Sequence, residues 1–413
     1  MTSQQKSYVV PMIIIGALFF IFGFVTWLNS VLIPFLQQAC QLNDFQAYFV
    51  TFAFYISYFV MAIPSSIILK KTGYAKGMSI GLGVMAIGSL IFIPGALTRA
   101  YPLFLLGLFM QATGMTLLQT ASNPYITILG PIESAAKRIS IVGICNKIAG
   151  MVGILILVQL LFSDTKEVSK RISTLSGDAL AVELDALAER VIVPYVIMAI
   201  VLAGLALMIL KANLPEVNQE EDDGQIIDHS KGKSSVFDFP HLILGVICIF
   251  AYVGVEVIAI DTIGLYGQYM GFDLNVASKF GIYSLIALTI GYLIAIVIIP
   301  KYLKQRNALV ISAAIGFVFA IAALLTTGTV SIVFIVLLSF AHAMMWPSIW
   351  PLAIDKLGSF TKTGSALLIM GICGGALIPL VYGALADSGN RQTAYWIMLP
   401  CYLTLFPTDA LPI

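Results

Sequence analysis

Apolar residues run along this chain in blocks about as long as a bilayer is thick, with short polar stretches between them. A helix needs about 20 mostly apolar residues to cross the hydrocarbon core. The pattern therefore predicts spans near 9–36, 46–69, 77–97, 101–129, 139–162, 191–211, 240–268, 276–300, 308–327, 330–355, 363–386 and 393–410. That makes an all-α membrane protein of twelve transmembrane helices. The longest polar stretch between spans, 212–239, separates six from six. The expected organisation is an N-terminal half (1–211), a linker (212–239) and a C-terminal half (240–413). A second hydrophilic insert, 163–190, reads as a short amphipathic or irregular external loop.

Composition excludes a soluble protein. Of 413 residues, 59% are hydrophobic and 10% charged, whereas soluble domains carry about 25% charge. The mean hydropathy is +0.97. A net charge of +1 gives nucleic acid no purchase. The five cysteines (Cys40, Cys145, Cys248, Cys373 and Cys401) have no metal-ligand spacing, and no disulfide framework is expected. The first apolar run has no small-residue cleavage site and reads as a retained span.

Basic residues orient the bundle. With the N-terminus inside, Lys70, Lys71, Lys76, Lys137, Arg138, Lys211, Lys301, Lys304 and Arg306 fall on the cytoplasmic side. Arg99, Lys166, Lys170, Arg171, Arg190 and Arg391 fall outside, several of them among acidic residues. Both termini and the linker are then cytoplasmic. Two six-helix halves joined in this way suggest a transporter of pseudo-twofold design. NPYITILGP (123–131) and WPSIWPLAIDKLG (346–358) occupy corresponding places in the two halves.

Polar residues at membrane depth are the candidate chemistry, because they are costly there and usually face a cavity or a partner helix. Span 4 carries Gln111, Gln119, Thr120, Ser122 and Asn123 and is expected to break at Pro124. Gln111, Gln119 and Ser122 lie near one face. They suit either interhelical glue or the wall of a hydrophilic cavity. Span 1 carries Trp27, Asn29 and Ser30, followed by Pro34. An indole with amides suits a sugar, which presents an apolar ring face and hydroxyls; an interface anchor with an interhelical bond is the plainer alternative. Span 5 places Asn146 and Lys147 inside the bilayer, although Lys147 could partly snorkel. Span 7 carries Glu256 and Asp261, the two carboxylates deep in an apolar run. They are five residues apart, about 140° around a helix, so they do not share a face. A buried carboxylate is paired, protonated or bound to a cation. Lys147 is the candidate partner for one of them. Gly254, Gly264 and Gly267 in span 7 and GICGGALIP (371–379) in span 11 suggest bends or close packing. His342 is expected to be a packed hydrogen-bonding residue.

Several stretches resemble the major facilitator superfamily, and within it the fucose/glucose/galactose cation symporters. They are residues 28–77, QTASNPYITILGP (119–131), ICNKIAG (144–150), YVGVEV (252–257) and WPSIWPLAIDKLG (346–358). The chain departs from the fucose:proton members, which have an Asp at the position of Ser30 and a Glu at that of Gln119. It is similar to the glucose/galactose members in the YVG-x-E pattern at Glu256. The resemblance implies cation-coupled uptake of a hexose such as glucose or galactose by alternating access, in a bacterial inner membrane. Na⁺ is favoured over H⁺, because the span 1 and span 4 acids are missing while a span 7 acid is retained. The expected sugar-binding residues are Trp27, Asn29, Gln119, Asn123, Asn146, Lys147, Glu256 and Trp350. The expected cation-coupling residues are Glu256, Asp261, Ser30 and Thr120, with no other cofactor. The protein is expected to work as a monomer with lipid around it. A proton-coupled sugar symporter is the first alternative, with an exporter or a non-transporting sugar sensor behind it. No nucleophile–base pair or metal cluster at membrane depth points to an enzyme.

Overall fold

The computed structural model describes residues 3–128, 135–211, 235–299, 302–355, 357 and 360–406. The regular elements among those residues are all helices, joined by short turns, and they form no strand. Eleven of the helical stretches among them are long and apolar enough to cross a membrane.

The first span is α1 (Ser3–Trp27) followed by α2 (Asn29–Ala39). The axis is interrupted where polar chemistry begins. The Ser30 hydroxyl donates to the Trp27 carbonyl at 2.8 Å. Pro34, inside α2, lacks the amide that would bond the Ser30 carbonyl. The second span is the short α3 (Asp44–Ala47) and α4 (Phe49–Thr72). Asn43 caps α3 in a reciprocal box with Gln46. Then come α5 (Tyr74–Leu97), α6 (Tyr101–Ile128) and α7 (Ala135–Leu161). The break expected at Pro124 does not occur, because α6 stays helical to Ile128. One missing amide bond bends a membrane helix without ending it when neighbouring groups take up the freed carbonyl.

The 163–190 insert folds into two short helices, α8 (Thr165–Thr174) and α9 (Gly177–Glu189), before α10 (Ile192–Lys211). An Arg171–Glu183 ion pair ties α8 to α9. Arg190 grips Asp164 with two guanidinium nitrogens, which holds that carboxyl below the usual range. Most of the predicted linker, 212–234, lies outside the described residues.

The seventh span is α11 (Pro240–Asp261) and α12 (Ile263–Tyr269), turning at Thr262. The Thr262 hydroxyl bonds the Ile258 carbonyl at 2.7 Å and the Tyr395 hydroxyl at 2.6 Å. Next are α13 (Leu274–Ala277), α14 (Phe280–Ile298) and α15 (Gln305–Leu325). The tenth span divides into α16 (Gly328–His342) and α17 (Met345–Ile354). The eleventh divides into α18 (Thr361–Gly371) and α19 (Gly374–Ser388), bending inside the GICGG cluster. At the twelfth position stands a 3₁₀ turn (Thr393–Ile397) and α20 (Met398–Thr404). That is shorter and less regular than the helix expected over 393–410, and Pro400 is one local reason. Residues 407–413 are outside the described set.

Glycines let the helices approach. Gly81 faces Gly114 between α5 and α6, where a Cβ on either would strike the other's carbonyl. Gly23 of α1 sits on the Asn146 backbone of α7, and Gly374 of α19 sits on the Phe250 backbone of α11. The two contacts join spans 1 and 5 in one half and spans 7 and 11 in the other, which is the relation a pseudo-twofold repeat requires. Lipid contributes no hydrophobic drive between helices, so such close backbone packing holds the bundle together. Large apolar side chains such as Ile63, Ile87, Leu155, Ile200, Leu293 and Val297 cover the outer surface. The halves meet where α4 lies on α19, α7 on α14, and α2 on α11 and α12.

Candidate functional site

Trp27 ends α1 where the first span is interrupted, and its side chain is buried. The indole Nε1–H donates to Asn146 Oδ1 at 3.1 Å. The Asn146 amide nitrogen donates in turn to the Phe19 carbonyl at 3.3 Å. Gly150, one turn along α7, leaves room for the indole, since a Cβ there would overlap it. Lys147 Nζ lies 4.4 Å from the centre of the Trp27 ring. It is 5.9 Å from the ring of Tyr292 on α14, in the other half. A cation over an indole face is a favourable contact, stronger when water is excluded.

Glu256 on α11 is buried across the interface, and one carboxylate oxygen has no hydrogen-bond partner. Lys147 of the opposite half and Tyr252, one turn earlier on α11, are the groups that act on it electrostatically. Lys147 makes no ion pair at contact distance with Glu256; its ammonium is seated on aromatic rings, from where its charge acts on the carboxylate. Asp261 is more deeply buried, 1% exposed, and neither carboxylate oxygen has a partner. Glu256, Tyr55 and Tyr48 lie in its field. Asn29 is wholly buried with its amide oxygen and nitrogen both unpartnered.

Other expected residues separate. Gln119 donates to the Tyr58 hydroxyl at 3.1 Å from its half-buried position. Thr120 bonds the Thr116 carbonyl within its own helix, and α6 makes no extensive contact with α11. Ser30 is turned back onto Trp27. No hydrogen bond joins Glu256, Asp261, Ser30 and Thr120 to one another among the described residues. Gln111 bonds Ser89 at 2.8 Å inside the N-terminal half, which makes it interhelical glue. The Asn123 side chain lies outside the described residues. Trp350 stacks on Trp346, ring centres 5.4 Å apart, and Trp346 in turn lies 6.2 Å from the Tyr252 ring. His342 is a packed residue, hydrogen-bonded to the Tyr402 hydroxyl at 2.7 Å.

Sequence reasoning missed the tyrosines. Tyr55, Tyr58, Tyr252 and Tyr292 surround the amides and carboxylates. Tyr55 and Tyr58 are near-parallel, 6.3 Å apart. A tyrosine in an apolar run carries no positional signal of its own, and seventeen are spread along the chain.

A model of the major facilitator superfamily matches residues 15–378. The chain is 33% identical to a glucose/galactose transporter of Brucella abortus, over 97% of this chain and 93% of that one.

The chain belongs to the major facilitator superfamily.

Within the superfamily it groups with the fucose/glucose/galactose symporters. The L-fucose-proton symporter of Escherichia coli K12 is 29% identical over 98% of this chain and 93% of its own. The solved fucose:proton symporter FucP, in its outward conformation, superposes with a TM-score of 0.73 at 28% identity, covering 97% and 98% of the two chains. The E. coli xylose transporter XylE shares the fold, at 16% identity and a TM-score of 0.67. This major facilitator protein is a multi-pass membrane transporter and not an enzyme.

Proposed function

We propose that this major facilitator protein is a secondary active symporter that takes up a hexose such as glucose or galactose together with a cation. One observation carries the reading. Trp27 is held by Asn146 and covered by Lys147, whose ammonium also lies 5.9 Å from the Tyr292 ring of the other half and acts on Glu256. An indole face, amides and a carboxylate at the seam between halves are the groups that recognise a polyol with one apolar face. The Brucella and E. coli relatives, named for glucose/galactose and L-fucose, support the substrate class. Trp27, Asn29, Gln119, Asn146, Lys147, Glu256 and Trp350 are the sugar residues in this reading, with Asn123 beside them in sequence.

Glu256 and Asp261 are the coupling groups. A buried carboxylate favours whichever conformation holds its cation, and that differential affinity links ion to sugar. Na⁺ is the ion we favour, because the chain has Ser30 and Gln119 where proton-coupled relatives carry acids. H⁺ is the second reading. It is favoured by the two unpartnered oxygens of Asp261, since a buried acid without donors is most stable protonated. The termini face the cytoplasm of a bacterial inner membrane, on the charge asymmetry of the loops. The working unit is a monomer.

The test is uptake of radiolabelled glucose and galactose into proteoliposomes under an imposed inward Na⁺ or H⁺ gradient. Accumulation under Na⁺ alone is expected. Accumulation under H⁺ alone replaces Na⁺ with the second reading. Sugar binding without flux under either gradient defeats the symporter.

A further inference from the structure

A cluster remote from the sugar residues joins the two halves at the end of the bundle where spans 1 and 11 finish. Arg391, just past α19, donates from Nε to Asp44 Oδ2 at 2.8 Å and from Nη2 to Asp44 Oδ1 at 2.7 Å. This is a two-pronged guanidinium–carboxylate pair, the geometry that gives such pairs both strength and direction. Both side chains are largely buried, at 19% and 10% exposed. Arg391 Nη1 also donates to the Leu265 carbonyl at 3.0 Å, and Nη2 reaches Gln37 Oε1 at 3.3 Å. Gln37 Nε2 donates to Asp44 Oδ1 at 2.6 Å. The Tyr382 hydroxyl donates to the Arg391 carbonyl at 2.9 Å and fixes the loop.

A second contact runs beside it. The Asp387 carboxylate, from the C-terminal half, accepts the backbone N–H groups of Asp44 at 2.9 Å and Phe45 at 3.0 Å. One half thus caps the first turn of a helix in the other. Gly383 makes the approach possible, because a Cβ there would lie 2.6 Å from the Tyr48 ring and 2.9 Å from the Phe45 Cα. Tyr48 and Tyr382 meet edge-to-face beneath, ring centres 5.4 Å apart. Nearby, Asn275 donates to the Phe162 carbonyl at 2.6 Å, again from one half to the other.

We propose that Asp44 and Arg391, positioned by Gln37 and Asp387, are a latch that closes the outer end of the transport path. It rests on the alternating-access reading above, though not on the identity of the sugar or ion. Opening toward that end must separate α3 from α19, and so break the bidentate pair and both caps together. The contacts are charge-assisted and half-dry, so they resist partial loosening and favour a closed or fully open state. Latch residues are positioning residues, because none of them belongs to the proposed sugar or coupling sets.

The experiment measures the distance between spin labels at Thr98 and Thr327, exposed residues of opposite halves at this end, in a chain whose five native cysteines are replaced by alanine. The parent protein should show mainly the short distance. Arg391→Gln and Asp44→Asn should each raise the ratio of long to short distance about tenfold, the effect of losing roughly one charge-assisted hydrogen bond. The exchanged pair D44R with R391D should return the ratio toward the parent. Arg391→Lys, which keeps charge and loses the fork, should fall between. Unchanged distances in all four overturn the latch. A uniform shift that the exchange does not reverse also overturns it, by showing a structural role alone. A failure to transport sugar leaves the distance readout intact and counts against the proposed function only.

Discussion

Glu256 and Trp27 are the residues on which the functional reading is most exposed. Glu256→Gln keeps the shape and removes the charge. It is expected to abolish gradient-driven accumulation while sugar exchange across the membrane persists. Full accumulation by this variant in proteoliposomes would take Glu256 out of the coupling role. Trp27→Phe keeps a ring for stacking but loses the donor to Asn146. A net hydrogen bond contributes about 1 kcal/mol, so the half-saturating sugar concentration should rise about fivefold. Trp27→Ala loses the ring as well and should cost at least a further tenfold in KM, read from initial uptake rates.

Among the elements, the glycine contacts between inner helices are the most demanding. A side chain at Gly374 has no space against the Phe250 backbone, and one at Gly23 has none against Asn146. Gly374→Leu should lower the melting temperature in detergent by several degrees, since overpacking costs about 1–3 kcal/mol. Gly143 faces open space, and Gly143→Ala should leave the melting temperature nearly unchanged. An equal effect at both positions would show that backbone approach is not what these glycines serve. The interruptions of spans 1, 7, 10 and 11 belong to the same scale. Each stands beside polar or small residues, and a broken helix there presents its backbone to a partner or a cavity instead of lipid.

For the whole molecule, the halves are held by polar bonds at one end and by apolar and aromatic contact toward the middle. Asp261 sits in α11 near the turn that leads to the latched end. In the proposed symport, a cation or proton held there would bias the same two-state motion that the sugar uses. Asp261→Asn is expected to remove the stimulation of sugar uptake by the coupling gradient, leaving downhill uptake within about threefold. Persisting stimulation would confine coupling to Glu256.

The apolar periodicity alone set the class, the span count to within the last element, and the polar residues that had to be explained. Those features follow from the cost of placing polar groups in hydrocarbon, which acts on each segment separately. Glu256, Asp261, Lys147 and Trp27 were visible for that reason. What the tertiary structure decided is which of them meet. Lys147 rests on Trp27 and Tyr292 near Glu256, Thr120 stays apart, and Gln111 serves only its own half. Pro124 looked like a break because a lone segment cannot reveal a neighbour that tolerates the missing bond. Asp44 and Arg391 were invisible as a pair, since both fall in polar loops where charge is ordinary and they stand 347 residues apart. Only the packing of α3 on α19 brings them together, because pairing depends on three-dimensional proximity that no local pattern encodes.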